Sequence, residues 1–210
     1  MARVKQTYSI LQQGFRRAVD EYGDVASWCT ISSASDYAAC TQTIFNNLSS
    51  TTQMSQCKVN ACFARGQVYR NRFGKNNISV AANHTQYSIA VLNNGTSIAI
   101  KSQNGDVFTD WWCKSSMNTT AGHARYQGSC GRITVDLNGA SGPNTDGRDV
   151  FEFVIYTDGI AHKGGKQDTV WTENFKNQCL GQRWNSVGGC TAWVVFNGNM
   201  DYLHSDKLDW

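Results

Sequence analysis

Eight cysteines constrain what this 210-residue chain can fold into more than any other feature. Cys29, Cys40, Cys57, Cys62, Cys113, Cys130, Cys179 and Cys190 form an even set, spread as sequential pairs, which is the usage of proteins oxidised outside a reducing cytosol. Zinc is the rival chemistry. No CxxC occurs, and His84, His123, His162 and His204 stand far from any close cysteine pair, so the spacing of structural zinc sites is not met. Neighbours in sequence stay near each other in hairpins and short loops, which favours the pairs 29–40, 57–62, 113–130 and 179–190. For the first four cysteines the alternative, 29–62 with 40–57, stays open.

An oxidised protein must be exported. The opening "MARVKQTYSI" has no apolar h-region and no cleavage site, and no stretch approaches the ~20 apolar residues that span a bilayer. The expectation that reconciles these facts is an export or anchoring segment upstream of this chain.

Residues 3 to 22 place Val4, Tyr8, Leu11, Phe15, Val19 and Tyr22 on one stripe at helical period, with Lys5, Gln12, Arg16 and Asp20 off it. Gly23 is the expected stop. Gly14 weakens such a helix by about 1 kcal/mol relative to Ala, so packing must hold it, and a stripe this wide calls for a broad partner such as a sheet. Residues 24–85 are rich in Ser, Thr, Asn and Gln and carry four cysteines; they read as a variable, irregular, disulfide-stapled insertion, with a short helix near Ser35 in "SDYAACTQTIFNNL".

From residue 86 the period becomes that of strands. "YSIAVLNNGTSIAI" is two β runs around Asn93-Asn94-Gly95, and "DVFTDWW", "RITVDL", "VFEFVIY" and "TAWVVF" follow, each bounded by Gly, Asn or Asp. Short connections imply antiparallel pairing. The chain is therefore expected to be one α+β head over residues 1–210, with an amphipathic N-terminal helix packed on an antiparallel sheet of about four to six strands.

The formal charge of +3 is scattered from Arg3 to Lys207, so nucleic acid is not an expected partner, and Arg65, Arg70, Arg72 and Lys75 read as a solvated face. No GxSxG or HExxH motif is present, Gly164-Gly165-Lys166 lacks the phosphate-loop spacing, and His162 reads as a surface residue rather than a general base. An enzyme is not expected. Five Asn-x-Ser/Thr sequons, at Asn47, Asn77, Asn83, Asn94 and Asn118, are what chance supplies in so Asn-, Ser- and Thr-rich a chain. Trp111, Trp112 and Trp193 lie in or beside strand runs, and Trp171, Trp184 and Trp210 in loops or at the terminus; such rings cover a sheet more often than they stack on sugars.

The loop between "RITVDL" and "VFEFVIY" holds the chain's single proline and the oxygen-bearing side chains of Asp136, Asn138, Asn144, Asp146 and Asp149. This density suits Ca²⁺, which takes six to eight oxygens, although Gly139 and Ala140 depart from EF-hand positions and no Glu closes the loop. Asp136, Asn138, Asn144 and Asp149 are the first-choice ligands, with Asp146 a substitute. The competing reading is an Asx-rich turn whose side chains bond nearby amides.

The helix "VKQTYSILQQGFRRAVDEYGDVASW", the loop "DLNGASGPNTDGRDVFEF" and the tail "CLGQRWNSVGGCTAWVVFNGNMDYL" resemble the type IV pilin and type II secretion pseudopilin superfamily over residues 3–28 and 86–210. The resemblance implies an extracellular or periplasmic head, a filament built with other pilin-like subunits through the N-terminal helix, and a membrane helix ahead of residue 3. It also likens Cys179 and Cys190 to the bridge that closes the C-terminal loop of many pilins, and strengthens the expectation of calcium beside the sheet. The expected function is that of a structural filament subunit. The alternative is a secreted calcium-dependent glycan-binding or adhesin module, with a surface glycan or protein as its ligand.

Overall fold

The computed structural model describes residues 1–29, 36–57, 59–63, 69–70, 76–78, 87–102, 113, 129–164, 175, 179–181, 188–205 and 207–208. The expected N-terminal helix is α1 (Ala2–Tyr22), and it ends at Gly23, whose amide donates to Val19 O. A second helix, α2 (Asp36–Thr52), lies beside it. Cys40, Ile44, Leu48 and Thr52 recur every four residues and, with Thr41 and Phe45, form the buried stripe of α2. The short helix expected near Ser35 is thus present, but as a regular 17-residue helix in the main core rather than a minor part of an irregular insertion. Polar small residues disguise it, because the apolar stripe is only one residue wide for much of its length.

Gly14 explains why the two helices meet where they do. A Cβ at this position would lie 1.8 Å from Thr52 Cγ2, and the Thr51 hydroxyl donates to Gly14 O at 2.8 Å. The helix tolerates glycine because its backbone is the contact surface.

The sheet has six antiparallel strands in the order β1-β4-β5-β6-β7-β8: β1 (Met54–Gln56), β4 (Ser88–Leu92), β5 (Ser97–Ser102), β6 (Ser129–Asp136), β7 (Val150–Tyr156) and β8 (Gly159–His162). From β4 to β8 it is a meander, each strand pairing with the next. A short helix α3 (Val59–Cys62) and a separate pair, β2 (Tyr69–Arg70) with β3 (Asn76–Ile78), come from residues 59–78. Alternation along the strands builds two cores. Ile98, Ile100, Ile133, Val135, Phe151, Phe153 and Ile155 face α1 and α2, whereas Ile89, Ala99 and Val150 face Cys62 and Phe63 on the other side.

Leu11 and Phe15 of α1 are buried, and burying each such side chain stabilises by about 1.5–3 kcal/mol. Tyr8 stacks on Phe153 at 5.4 Å between ring centroids, which brings α1 onto the sheet, while Phe15 packs instead against Trp28 at 6.3 Å; Tyr8 and Val19 are partly buried. The α+β class and the helix-on-sheet layering hold, with half of the helical layer supplied by α2.

Two further differences concern the C-terminal third. "TAWVVF", expected as a strand, is the helix α4 (Thr191–Asn197), which buries Ala192, Trp193 and Val194. A run of consecutive apolar residues has no period by which to tell a strand from a buried helix, and here the tertiary contacts decide. Conversely "GIAH", which was not among the expected strands, is β8, paired with β7 through Phe153 and His162. The expected strand "DVFTDWW" lies outside the described residues.

Candidate functional site

The four bridges are Cys29–Cys40, Cys57–Cys62, Cys113–Cys130 and Cys179–Cys190, and no described cysteine is free. Cys29–Cys40 ties the end of α1 to α2, and Cys179–Cys190 fixes the start of α4.

The loop 137–149 sits at the end of the sheet where Ser97 pairs with Asp136 and Asp136 with Val150. Its neck is closed by Leu137 N donating to Asp149 O at 2.9 Å. Asp136 is fully buried. Its Oδ1 accepts from the Asn138 amide at 3.2 Å and the Gly139 amide at 2.9 Å, an Asx turn that sends the chain away from β6. Asn138 Nδ2 donates to Pro143 O at 3.1 Å and spans the loop. Asp149 Oδ1 accepts from the Thr145 amide at 3.1 Å, while its Oδ2 is buried and finds no hydrogen-bond partner among the described residues. Burial raises the Asp149 carboxyl above its ordinary range, opposed by the Thr145 amide and the Asn138 side chain.

Asp146 points elsewhere. Its Oδ1 accepts from Gly188 N at 2.7 Å, so this carboxylate ties the loop to the segment that leads into α4. Complete burial pushes its carboxyl up to about 7, against the pull of the Gly188 amide and of Lys163. The structure thus brings Asp136, Asn138, Asn144 and Asp149 around one loop and gives Asp146 a different partner. No group of three His, Cys, Asp or Glu side chains able to hold a metal occurs among the described residues.

Asn144 decides how the loop relates to a cation. Its side-chain amide meets Asp136 Oδ2 and Ser141 O at 3.2 Å each. With nitrogen turned toward them it donates two hydrogen bonds and the loop is complete as an Asx network. With oxygen turned toward them three oxygens converge and the amide nitrogen faces only donors, an arrangement that turning the amide relieves. The hydrogen bonding favours the first orientation, in which Asn144 Nδ2 donates to Asp136 Oδ2 and Ser141 O.

The loop also bonds to segments distant in sequence. Arg70 N of β2 donates to Asn144 O, and Asp146 N donates to Arg70 O, both at 2.9 Å. Arg3 of α1 reaches Leu137 O at 2.7 Å, and the Tyr202 hydroxyl donates to Gly147 O. Beneath the loop's C-terminal contact lies a buried ion pair, Lys163 Nζ to Glu152 Oε1 at 2.9 Å, with Arg132 on the same carboxylate oxygen at 3.4 Å. These residues were missed in the sequence, although a lone Glu inside "VFEFVIY", which lies diagonally across from the lone Arg in "RITVDL", is a legible signal of a paired charge.

The other sequence candidates resolve differently. His162 is buried at the end of β8, so it is not a surface residue. Trp193 stacks on Phe175 at 4.6 Å and donates to Asn199 Oδ1 at 2.6 Å, which makes it part of the core. Trp111, Trp112, Trp171, Trp184, Trp210, Arg65, Arg72, Lys75 and Lys166 lie outside the described residues. No helix among the described residues is long and apolar enough to cross a membrane. These features define a disulfide-stapled α+β domain with a helical layer on one face of an antiparallel meander and a polar loop stitching its segments together. No protein-family profile, curated protein or solved structure matches this chain.

Proposed function

We propose that this chain is the head of a filament subunit of the pilin or pseudopilin kind, working extracellularly or in the periplasm as a structural rather than a catalytic part. One observation carries the reading. A 21-residue N-terminal helix lies over an antiparallel meander, and a C-terminal segment closed by the Cys179–Cys190 bridge returns to pack against that helix through α4. Four disulfides support an oxidising compartment. The exposed face of α1, with Arg3, Gln6, Gln13, Arg16 and Arg17, is the surface on which neighbouring subunits would assemble, with an apolar helix ahead of α1 as the membrane anchor. Within this reading the loop 137–149 is a structural calcium site whose ion would join β6 to β7, with Asp136, Asn138, Asn144 and Asp149 around it and no catalytic water.

The test is genetic. Deleting the gene should abolish surface filaments or the secretion of a reporter protein, and a tagged copy should restore them and label the filaments in electron micrographs. Intact filaments and secretion after deletion, with the tagged protein free in the medium, would refute the proposal.

A further inference from the structure

His162 is the buried titratable group that the loop and its contacts do not use. It closes β8, and its ring is held at a junction of three elements. Phe196 of α4 meets it edge-on with 4.4 Å between ring centroids, and Tyr8 of α1 lies at 5.6 Å. Phe153 of β7, its partner in register, also stacks on Tyr8. The imidazole is 9% exposed, and Nδ1 finds no hydrogen-bond partner among the described residues. Phe196 is 57% exposed, so α4 ends with a large ring laid over this histidine and open to solvent on its other side.

The elements around the ring offer it no negative charge among the described residues. From α1 come the Tyr8 hydroxyl, which accepts from Gln12, and Lys5, whose ammonium is placed 3.0 Å from where a Cβ on Gly198 would sit, at the end of α4. The helix α4, "TAWVVFN", carries no charged side chain. From β7 the facing residue is the apolar Phe153, while Glu152 is paired with Lys163 and Arg132. A positive charge on His162 therefore gains no carboxylate among the described residues, and it would be buried with an Nδ1 that finds no partner among them.

We propose that His162 is an acid-sensitive latch for α4: as a neutral imidazole it seats the helix against α1 and β8, and as an imidazolium it releases it. The start of α4 stays tethered, because Cys190 is bridged to Cys179 and Ala192 N donates to Lys163 O at 3.0 Å. The released part is the far end, which carries Phe196, and it swings about the bridge. Burial holds the His162 imidazole below its ordinary range, opposed only by its own backbone. The unfolded or opened state then takes up a proton at a pH where the closed state does not. Latch stability is accordingly full above the ordinary histidine range and is lost as pH falls through it toward the depressed closed-state value. The inference is independent of the filament reading.

Hydrogen exchange read by mass spectrometry on the full chain at pH 7.5 and 5.0, corrected for intrinsic rates, tests it, with α2 as internal reference. Protection of the α4 amides should fall about tenfold more than that of α2 on acidification, and His162→Phe should remove the difference. Parallel loss in α2 and α4, or an undiminished drop in His162→Phe, would overturn the latch. Should that variant not fold, His162→Gln takes its place. Titration of His162 by NMR in the unaltered protein decides separately, since an ordinary or raised pKa is incompatible with the proposal.

Discussion

Two connections at the same end of the sheet reverse the chain in opposite ways. Between β4 and β5 the backbone of the turn Asn93-Asn94-Gly95 closes locally: Gly95 N donates to Leu92 O at 2.8 Å, Leu92 N to Thr96 O at 2.9 Å, and Asn94 Oδ1 accepts from Thr96 N at 3.0 Å. Neither asparagine has positive φ, and Gly95 does at 80°, which makes this a type I turn closed by a left-handed glycine. Between β6 and β7 residues 137–149 do the same topological work, yet they bond to β2, α1 and the segment before α4. The short turn's backbone closes on its own atoms, and its side-chain links outward are few, chiefly Asn93 Nδ2 donating to Gln53 Oε1 at 2.8 Å. The long loop is a junction, and its conformation is specified by partners far away in sequence. A connection of this length is justified by what it joins, which is why its integrity should matter far more to stability than that of the turn beside it.

The sharpest way to break the comparison is a pair of glycine substitutions. Gly188 and Gly95 both have φ near +80°, so alanine costs each about 1–2 kcal/mol of backbone strain. A Cβ on Gly188 would also lie 2.2 Å from Glu152 Cβ and 2.5 Å from Glu152 N, whereas one on Gly95 meets nothing within 4 Å. Overpacking against a central strand adds about 1–3 kcal/mol. Gly188→Ala should therefore destabilise by about 2–5 kcal/mol and Gly95→Ala by about 1–2 kcal/mol in chemical denaturation. Equal losses would show that the segment before α4, to which the loop is bonded through Asp146, is not packed tightly on β7.

A smaller effect sharpens the account of the loop itself. If Asn144 presents oxygen to Asp136 and Ser141, calcium in hundredfold excess over its dissociation constant should stabilise by about 2.7 kcal/mol. For a chain of this size that corresponds to a rise in melting temperature of roughly 5–11 °C, set against chelator. Asp136→Asn keeps an acceptor for the Asn138 and Gly139 amides but removes the charge, so it should fold and lose most of the calcium response. An unchanged melt in the parent protein would assign Asn144 its donating orientation and leave the loop an Asx network.

What could be read from the sequence follows the same division. The α1 stripe and the β4–β5 hairpin were legible because both are written in local periodicity and in Asn93-Asn94-Gly95. The loop was legible as a polar, glycine- and proline-bearing turn with Asp136 and Asp149 at its neck, but not Asp146, whose partner Gly188 lies 42 residues away. Nor did the sequence reveal α4. Its apolar run has no period, and its helical form depends on the bridge at Cys190 and on the docking of Trp193 and Val194. The helix α2 was half visible, since Cys40, Ile44 and Leu48 have the period but the surrounding Ser and Thr resemble loop.

The smallest expected effect tests whether the short turn closes as locally as its backbone does. Asn94 Oδ1 holds the Thr96 amide, and Asn94 Nδ2 reaches Thr7 Oγ1 at 3.5 Å, beyond the usual length for such a bond. Alanine at this position loses one partly buried hydrogen bond, a net of about 0.5–1.5 kcal/mol, and keeps a backbone that any residue adopts, since φ is not positive. Asn94→Ala should lower the melting temperature by only a few degrees, on the scale of roughly 2–4 °C per kcal/mol for a chain of this length. Its effect should add to that of Gly188→Ala, because sites without shared partners are independent. A double variant that departs from the sum by more than about 0.5 kcal/mol would mean that the turn and the junction communicate, through α1 at Thr7 or along the Ser97–Asp136 pair, and that the hairpin owes part of its form to the loop beside it.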